Sequence, residues 1–191
     1  MPNIYIVIPA KNEAGRIGQV IYQTILQGYE QIVVVDDGST DNTCQVARQA
    51  GATVLSHRIN LGAGAATQTG IEYALGQGAD IIVTLDGDNQ HFPEDIAKLV
   101  ETLIEKEVDV VIGSRFLLAN EEIPPLRRLY NRIGNVITRL ITGTSTSDSQ
   151  SGMKAFRATF ARHIDFHFNG YEFCTEFIFL IRRYHASFAE V

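Results

Sequence analysis

Four short runs rich in Ile and Val, residues 4–8, 31–35, 81–85 and 108–112, alternate with segments of helical spacing, and this alternation constrains the fold more than any other feature. Continuous apolar runs bounded by polar turns are the pattern of strands covered on both faces, as in a parallel sheet. A weaker fifth run covers residues 52–55. Between the runs, Ile17, Ile21 and Ile25 recur at steps of four, Val46 and Ala50 follow Asp41 as a candidate N-cap, and Ile96, Val100 and Ile104 follow Pro93. Repeated strand–helix–strand units predict a Rossmann-like α/β fold, with a mostly parallel sheet flanked by helices on both faces. In such sheets ligands bind at the carboxyl ends of the strands. Those ends carry Pro9-Ala10-Lys11-Asn12-Glu13, Asp36-Asp37-Gly38-Ser39, Asp86-Gly87-Asp88-Asn89-Gln90 and Gly113-Ser114-Arg115, so polar groups cluster where the fold puts ligands.

Beyond Pro124 and Pro125 the pattern changes to a long helix, a Ser/Thr-rich loop over residues 142–151 and a second helical stretch near 171–184. Residues 187–191 read as the start of a strand with nothing to pair it onward, so the chain is expected to be one domain over residues 1–191, truncated at its C-terminus. The 191 residues, 45% of them hydrophobic, suffice for one core and are short for two. Lys and Arg total 16 against 22 Asp and Glu, and the net charge of −6 argues against nucleic acid as a partner. Cys44 and Cys174 lie far apart without a CxxC spacing, which suggests neither a disulfide framework nor a cysteine zinc site and makes a reducing cytoplasm the natural setting. No signal-peptide pattern and no bilayer-length apolar run is expected to carry the chain through a membrane.

Asp86 and Asp88 bracket a glycine directly after a strand, so their carboxylates can converge on one side of a sharp turn. Mg²⁺ and Mn²⁺ prefer such oxygen ligands and keep water or phosphate oxygens as well, so two carboxylates with a neutral amide such as Gln90 are sufficient, with His91 as a neighbour. A carboxylate within Asp36-Asp37-Gly38-Ser39-Thr40-Asp41 can accept hydrogen bonds from a nucleobase or ribose, while Ser39, Thr40 or Asp41 can instead cap the next helix. Gly62-Ala63-Gly64 leading to Gly70 is similar to a dinucleotide fingerprint, but Thr67 stands at the third glycine position, which excludes the dehydrogenase reading. A glycine-rich helix start can still offer backbone N–H groups to a phosphate. His163 and His167, a weak i,i+4 pair, read as surface or core residues and not as metal ligands.

Taken in order, Ile8-Pro9-Ala10-Lys11-Asn12-Glu13, Val35-Asp36-Asp37-Gly38-Ser39-Thr40-Asp41, Asn60-Leu61-Gly62-Ala63-Gly64-Ala65-Ala66, Asp86-Gly87-Asp88-Asn89-Gln90-His91 and Gly113-Ser114-Arg115 resemble the family-two inverting glycosyltransferases of GT-A fold. The branch it most resembles transfers sugars to dolichyl or polyprenyl phosphate, and Asp148-Ser149-Gln150-Ser151-Gly152 and Glu176 extend the likeness. The resemblance implies that Pro9, Ala10, Glu13, Asp37 and Asp86 bind the nucleotide-sugar, that Asp86, Asp88 and Gln90 hold Mg²⁺ or Mn²⁺, and that Asp88, Arg115 and Asp148 are catalytic. It departs at Gly170-Tyr171-Glu172, where an acid replaces an expected cation. A hydroxyl acceptor would need a general base such as Asp148, Glu172 or Glu176, whereas an acceptor phosphate is already ionised; Asp148 then organises the acceptor loop or is an exposed loop residue.

From Leu126 on, Leu129, Tyr130, Ile133, Val136, Ile137 and Leu140 form an apolar helical stripe flanked by Arg127, Arg128, Arg132 and Arg139. This stripe can pack on the core with a solvated basic face, and the helix can also rest on an anionic membrane, where Arg127, Arg128 and Arg132 would meet a lipid phosphate. The expected activity is metal-dependent inverting transfer from a UDP- or GDP-sugar to polyprenyl phosphate at the cytoplasmic face of a membrane. A glycan or protein hydroxyl acceptor, and a non-catalytic nucleotide-sugar-binding scaffold, are the alternatives.

Overall fold

The computed structural model describes residues 2–87, 93–114, 135, 138–140, 143, 146–170 and 172–191. Seven strands form one sheet in the order β3-β2-β1-β4-β6-β5-β7. The strands are β1 (Ile4–Ala10), β2 (Ile32–Asp36), β3 (Thr53–Ser56), β4 (Ile81–Thr84), β5 (Val110–Ile112), β6 (Lys154–Arg157) and β7 (Phe188–Glu190). The described helices are α1 (Ile17–Leu26), α2 (Thr43–Gln49), α3 (Ala63–Gly76), α4 (Asp95–Glu105), α5 (Ala158–Ala161) and α6 (Phe173–Arg183). The fold is thus α/β with a mixed, mostly parallel sheet.

Because successive side chains on a strand point to opposite faces, each strand feeds two cores. Ile6, Ile8, Val34, Val83 and Ala155 pack on one face with Ile17 and Ile21 of α1 and Ile96 and Leu99 of α4. Val7, Val33, Val35, Ile82 and Phe156 pack on the other with Ala66 and Ile71 of α3 and Phe177 and Ile178 of α6. The chain winds outward from β1 through β2 to β3, then α3 returns it across the opposite face to β4 on the far side of β1. Strand order therefore reverses between β1 and β4, where the loops after the strands diverge and leave a crevice.

Two features were not anticipated. β6 runs antiparallel between β4 and β5, pairing Lys154 with Thr84 and Ile112. With only four residues, the first a lysine, it carries little of the apolar signal that marked the other strands. The segment read as a strand with nothing to pair it onward is paired: β7 lies parallel to β5, matching Val110 with Phe188 and Ile112 with Glu190. Of the helix expected after Pro125, only Asn135 and residues 138–140 are described, all helical.

Gly70 lets α3 lie directly on the sheet, since a Cβ there would come within 2.3 Å of Val7 Cγ1 and 3.3 Å of Val35 Cγ2. Gly76, at the end of the same helix, has open space around it. Gly70→Val is expected to lower the unfolding free energy by about 3 kcal/mol through overpacking, whereas Gly76→Ala leaves it unchanged or slightly raised. Urea denaturation of the two variants checks both outcomes.

Candidate active site

A cleft of about 550 Å³ opens at the crevice between β1 and β4. Its walls are Pro9 and Ala10 at the end of β1, Lys11 and Glu13 just after it, Asp37 after β2, Asn60, Gly62, Ala63 and Ala66 around the start of α3, and Asp86 and Gly87 after β4. Gln150 and Gly152 before β6, and Gly170, Phe173 and Cys174 around the start of α6, close the opposite side. The fold thus gathers Pro9, Ala10 and Glu13 of one segment with the distant Asp37 and Asp86 into one cavity.

The loops after β1 and β2 are laced together. The Asn12 N–H donates to Ser39 Oγ at 2.9 Å, Glu13 N–H to Thr43 Oγ1 at 2.8 Å, Ala14 N–H to Asp41 Oδ2 at 3.2 Å, and Thr40 N–H to Asn12 Oδ1 at 2.9 Å. Asn12 takes a positive φ of 57° to make this exchange, a conformation asparagine tolerates better than most residues. Asp41 ties the N-terminus of α2 to the first loop, and the Thr43 hydroxyl, aided by the Thr43 and Ala14 amides against an opposing desolvation, holds its carboxyl below the ordinary aspartate value. Glu13 faces the cleft and forms an ion pair with Arg16 at 3.3 Å.

Asp37 is nearly inaccessible, at 4% exposure, and organises the facing wall. Its Oδ1 meets His57 Nδ1 at 2.8 Å and accepts from Leu61 N–H at 2.8 Å, while Oδ2 accepts from Gly62 N–H at 2.8 Å. His57 Nε2 in turn lies 3.1 Å from Thr69 Oγ1 on α3. A carboxylate oxygen can accept two hydrogen bonds, so Oδ2 retains one acceptor position.

At the glycine-rich start of α3 two of the N–H groups offered to a phosphate are already engaged: Gly62 N–H is held by Asp37 and Gly64 N–H donates to Asn169 O at 2.8 Å. The glycines serve close packing: a Cβ at Gly62 would lie 2.1 Å from Asn169 O, and one at Gly64 2.3 Å from Phe168 O.

Asp86 stands against the backbone of Gly152, where an added Cβ would come within 2.1 Å of both carboxylate oxygens. Thr84 fixes the approach by donating its hydroxyl to Gly152 O at 2.7 Å. Asp88, Gln90 and His91 lie outside the described residues, as do Arg115, Arg127, Arg128 and Arg132. Among the described residues no group of three or more His, Cys, Asp and Glu side chains is placed to hold a metal.

Asp148 is not the exposed loop residue that its Ser/Thr-rich surroundings suggested: it is fully buried. Its turn is held on both sides. Asn135 Nδ2 donates to Ser147 O at 2.6 Å and Asn135 Oδ1 accepts from Ser149 N–H at 3.0 Å. Glu190 on β7 accepts from the Thr146 hydroxyl and from Ser147 N–H, and Ser147 Oγ meets Ser114 Oγ at 2.7 Å. Of the other two candidate bases, Glu172 is exposed, whereas Glu176 accepts from the His167 and Phe168 amides and thereby shapes the loop that packs on Gly62 and Gly64. His163 stacks on Tyr184 at 4.5 Å and His167 pairs with Glu176, so the two histidines do not act together.

Sequence reasoning missed Gly152, Asn135, Glu190 and His57 as site-forming residues. Gly152 stood within a quoted motif, but only the sheet register shows which carboxylate needs its missing side chain. Among the described residues no helix is long and apolar enough to cross a membrane. Asp37→Asn turns one acceptor oxygen into a donor against N–H groups and is expected to lower the unfolding free energy by about 1–3 kcal/mol, which urea titration at neutral pH measures.

Comparison with known proteins agrees with this geometry. A family model for glycosyl transferase family 2 matches residues 5–165. An uncharacterized protein of Methanocaldococcus jannaschii is 40% identical over 98% of this chain and 79% of its own. A UDP-N-acetylglucosamine–dolichyl-phosphate N-acetylglucosaminyltransferase of Methanococcus voltae is 33% identical over 98% of this chain and 83% of its own. Among solved structures, glucosyl-3-phosphoglycerate synthase from Mycobacterium tuberculosis, in complex with Mn²⁺, UDP and phosphoglyceric acid, aligns with a TM-score of 0.74 at 24% identity. That alignment covers 100% of this chain and 68% of the synthase, and it shows a common GT-A fold. A cleft at the strand-order reversal, a carboxylate at its floor and a family match over most of the chain lead to one assignment: the chain is a sugar-transferring enzyme of glycosyl transferase family 2.

Proposed function

We propose that the chain moves a sugar, with inversion, from a nucleoside-diphosphate sugar to a polyprenyl phosphate, using Mg²⁺ or Mn²⁺ held by Asp86, Asp88 and Gln90. The observation that carries this reading is the Asp86 carboxylate lodged against Gly152 at the floor of the cleft. A carboxylate pair with an amide oxygen is a donor set suited to a hard divalent ion, and the cradle admits no side chain that would cover it. When bound, such an ion offsets charge developing on the departing diphosphate. Asp37 keeps one acceptor position on Oδ2 for a base or ribose hydroxyl, and its rigid hydrogen-bonded setting would fix that contact before the donor arrives.

The acceptor is inferred from chemistry and relatives together. The Methanococcus voltae enzyme is named for dolichyl phosphate, and an undecaprenyl-phosphate mannosyltransferase of Micrococcus luteus is 30% identical over 84% of this chain and 69% of its own. An acceptor phosphate attacks without a general base, so the fully buried Asp148 is assigned to hold the acceptor loop in place. Arg115 is proposed at the phosphates of donor or acceptor, and Arg127, Arg128 and Arg132 at the acceptor phosphate, where guanidinium groups bind two oxygens at once. Leu140, the described member of the apolar stripe, is 80% exposed, which supports contact with a cytoplasmic membrane face over packing in the core at that position.

The test is transfer of radiolabelled sugar from UDP- and GDP-sugars, with Mn²⁺, to polyprenyl phosphate and to free polyprenol in detergent. Label is expected on the phosphate alone, and Asp86→Asn should cut the rate at least about 100-fold by weakening charge stabilisation. Label on polyprenol or on added glycan, with none on the phosphate, would overturn the acceptor assignment.

A further inference from the structure

Lys154 is among the largest fully buried side chains of the protein, at 2% exposure. It begins β6, opposite Thr84 of β4, and shares the sheet face of Phe156. Its Nζ donates to Ser151 O and lies 5.3 Å from the ring centroid of Phe177 and 5.9 Å from that of Phe173. Among the described residues no carboxylate forms an ion pair with it. Two aromatic faces and one carbonyl are modest compensation for removing an ammonium from water, and an apolar side chain of similar volume would ordinarily be the more stable occupant.

The ammonium touches residues that neighbour or line the cleft. Gln150 and Gly152 on either side of Ser151 line it, as does Phe173. The carbonyl held by Lys154 immediately precedes Gly152, the residue against which Asp86 rests. Directly across the β4–β6 ladder from Lys154, Thr84 ties the same turn through Gly152 O. When a diphosphate enters beside Asp86, negative charge accumulates at a floor whose Ser151–Gly152 turn is held by this buried cation, in a region of low dielectric where charge acts strongly.

We propose that Lys154 is a positioning residue for the donor diphosphate: a buried cation that pins the Ser151–Gly152 floor against Asp86 and offsets the charge brought by the two phosphates. This rests on the donor reading given above. Nothing in the mechanism requires Lys154 to touch the substrate.

The experiment is calorimetric titration of the full chain and of Lys154→Met with Mn²⁺-loaded nucleoside diphosphate, alongside competition binding of the uncharged nucleoside. The methionine variant keeps the packing against Phe173 and Phe177, so its urea midpoint should equal or exceed that of the parent. Its affinity for the diphosphate should fall at least about 10-fold with the nucleoside affinity unchanged, the signature of a charge effect. Should the methionine variant fold poorly, Lys154→Gln, which keeps a donor for Ser151 O but no charge, carries the same comparison. Equal diphosphate affinity in parent and variant, or a parallel loss of nucleoside affinity, overturns the proposal. Failure of the parent to bind any nucleotide would overturn the donor reading instead.

Discussion

The contact between the Asp86 carboxylate and the backbone of Gly152 is the constraint around which the site is arranged. It joins the end of a parallel strand, β4, to the beginning of the one described strand that runs the other way, β6. Because β6 is antiparallel, the residues leading into it meet the carboxyl end of β4, and a turn that would otherwise lie at the opposite edge of the sheet becomes the cleft floor. Thr84 and Lys154, neighbours across that ladder, hold the turn from two sides.

The facing wall follows a similar logic with different chemistry. Asp37 is a buried acid satisfied by an imidazole and two amides, and those amides belong to the residues that open α3. The loop shaped by Glu176 then packs on the same glycines. Each wall is therefore a hydrogen-bonded unit anchored to a strand or helix, the arrangement expected where a ligand must be met by groups already in place. β7 contributes at a distance: Glu190, at the sheet edge, fixes the turn that contains Asp148.

Much of this was legible in the sequence, and the reasons are physical. Strands buried on both faces must be apolar throughout, so β1, β2, β4 and β5 announced themselves, and the polar residues after β1, β2 and β4 marked the cleft. β6 escaped because a four-residue strand starting with lysine resembles the loop before it. Whether Asp148 is exposed stayed open in the sequence because a Ser/Thr-rich stretch looks the same whether its hydroxyls face water or one another. The close packing served by Gly62 and Gly64 stayed hidden since sequence does not say what approaches a glycine; here it is residues 168–169. Gly152 and Glu190 depend on strand register, which a single sequence states only weakly.

The central claim is that the reversal of strand order places a donor diphosphate and its metal at Asp86. A crystal structure of the full chain with Mn²⁺ and the nucleoside diphosphate it binds, measured for anomalous scattering, tests it most directly. The account predicts one strong manganese peak about 2–2.5 Å from an Asp86 carboxylate oxygen, shared with the diphosphate, and a base lying toward Asp37. A manganese peak away from Asp86, or a nucleotide seated outside the cleft, would contradict it.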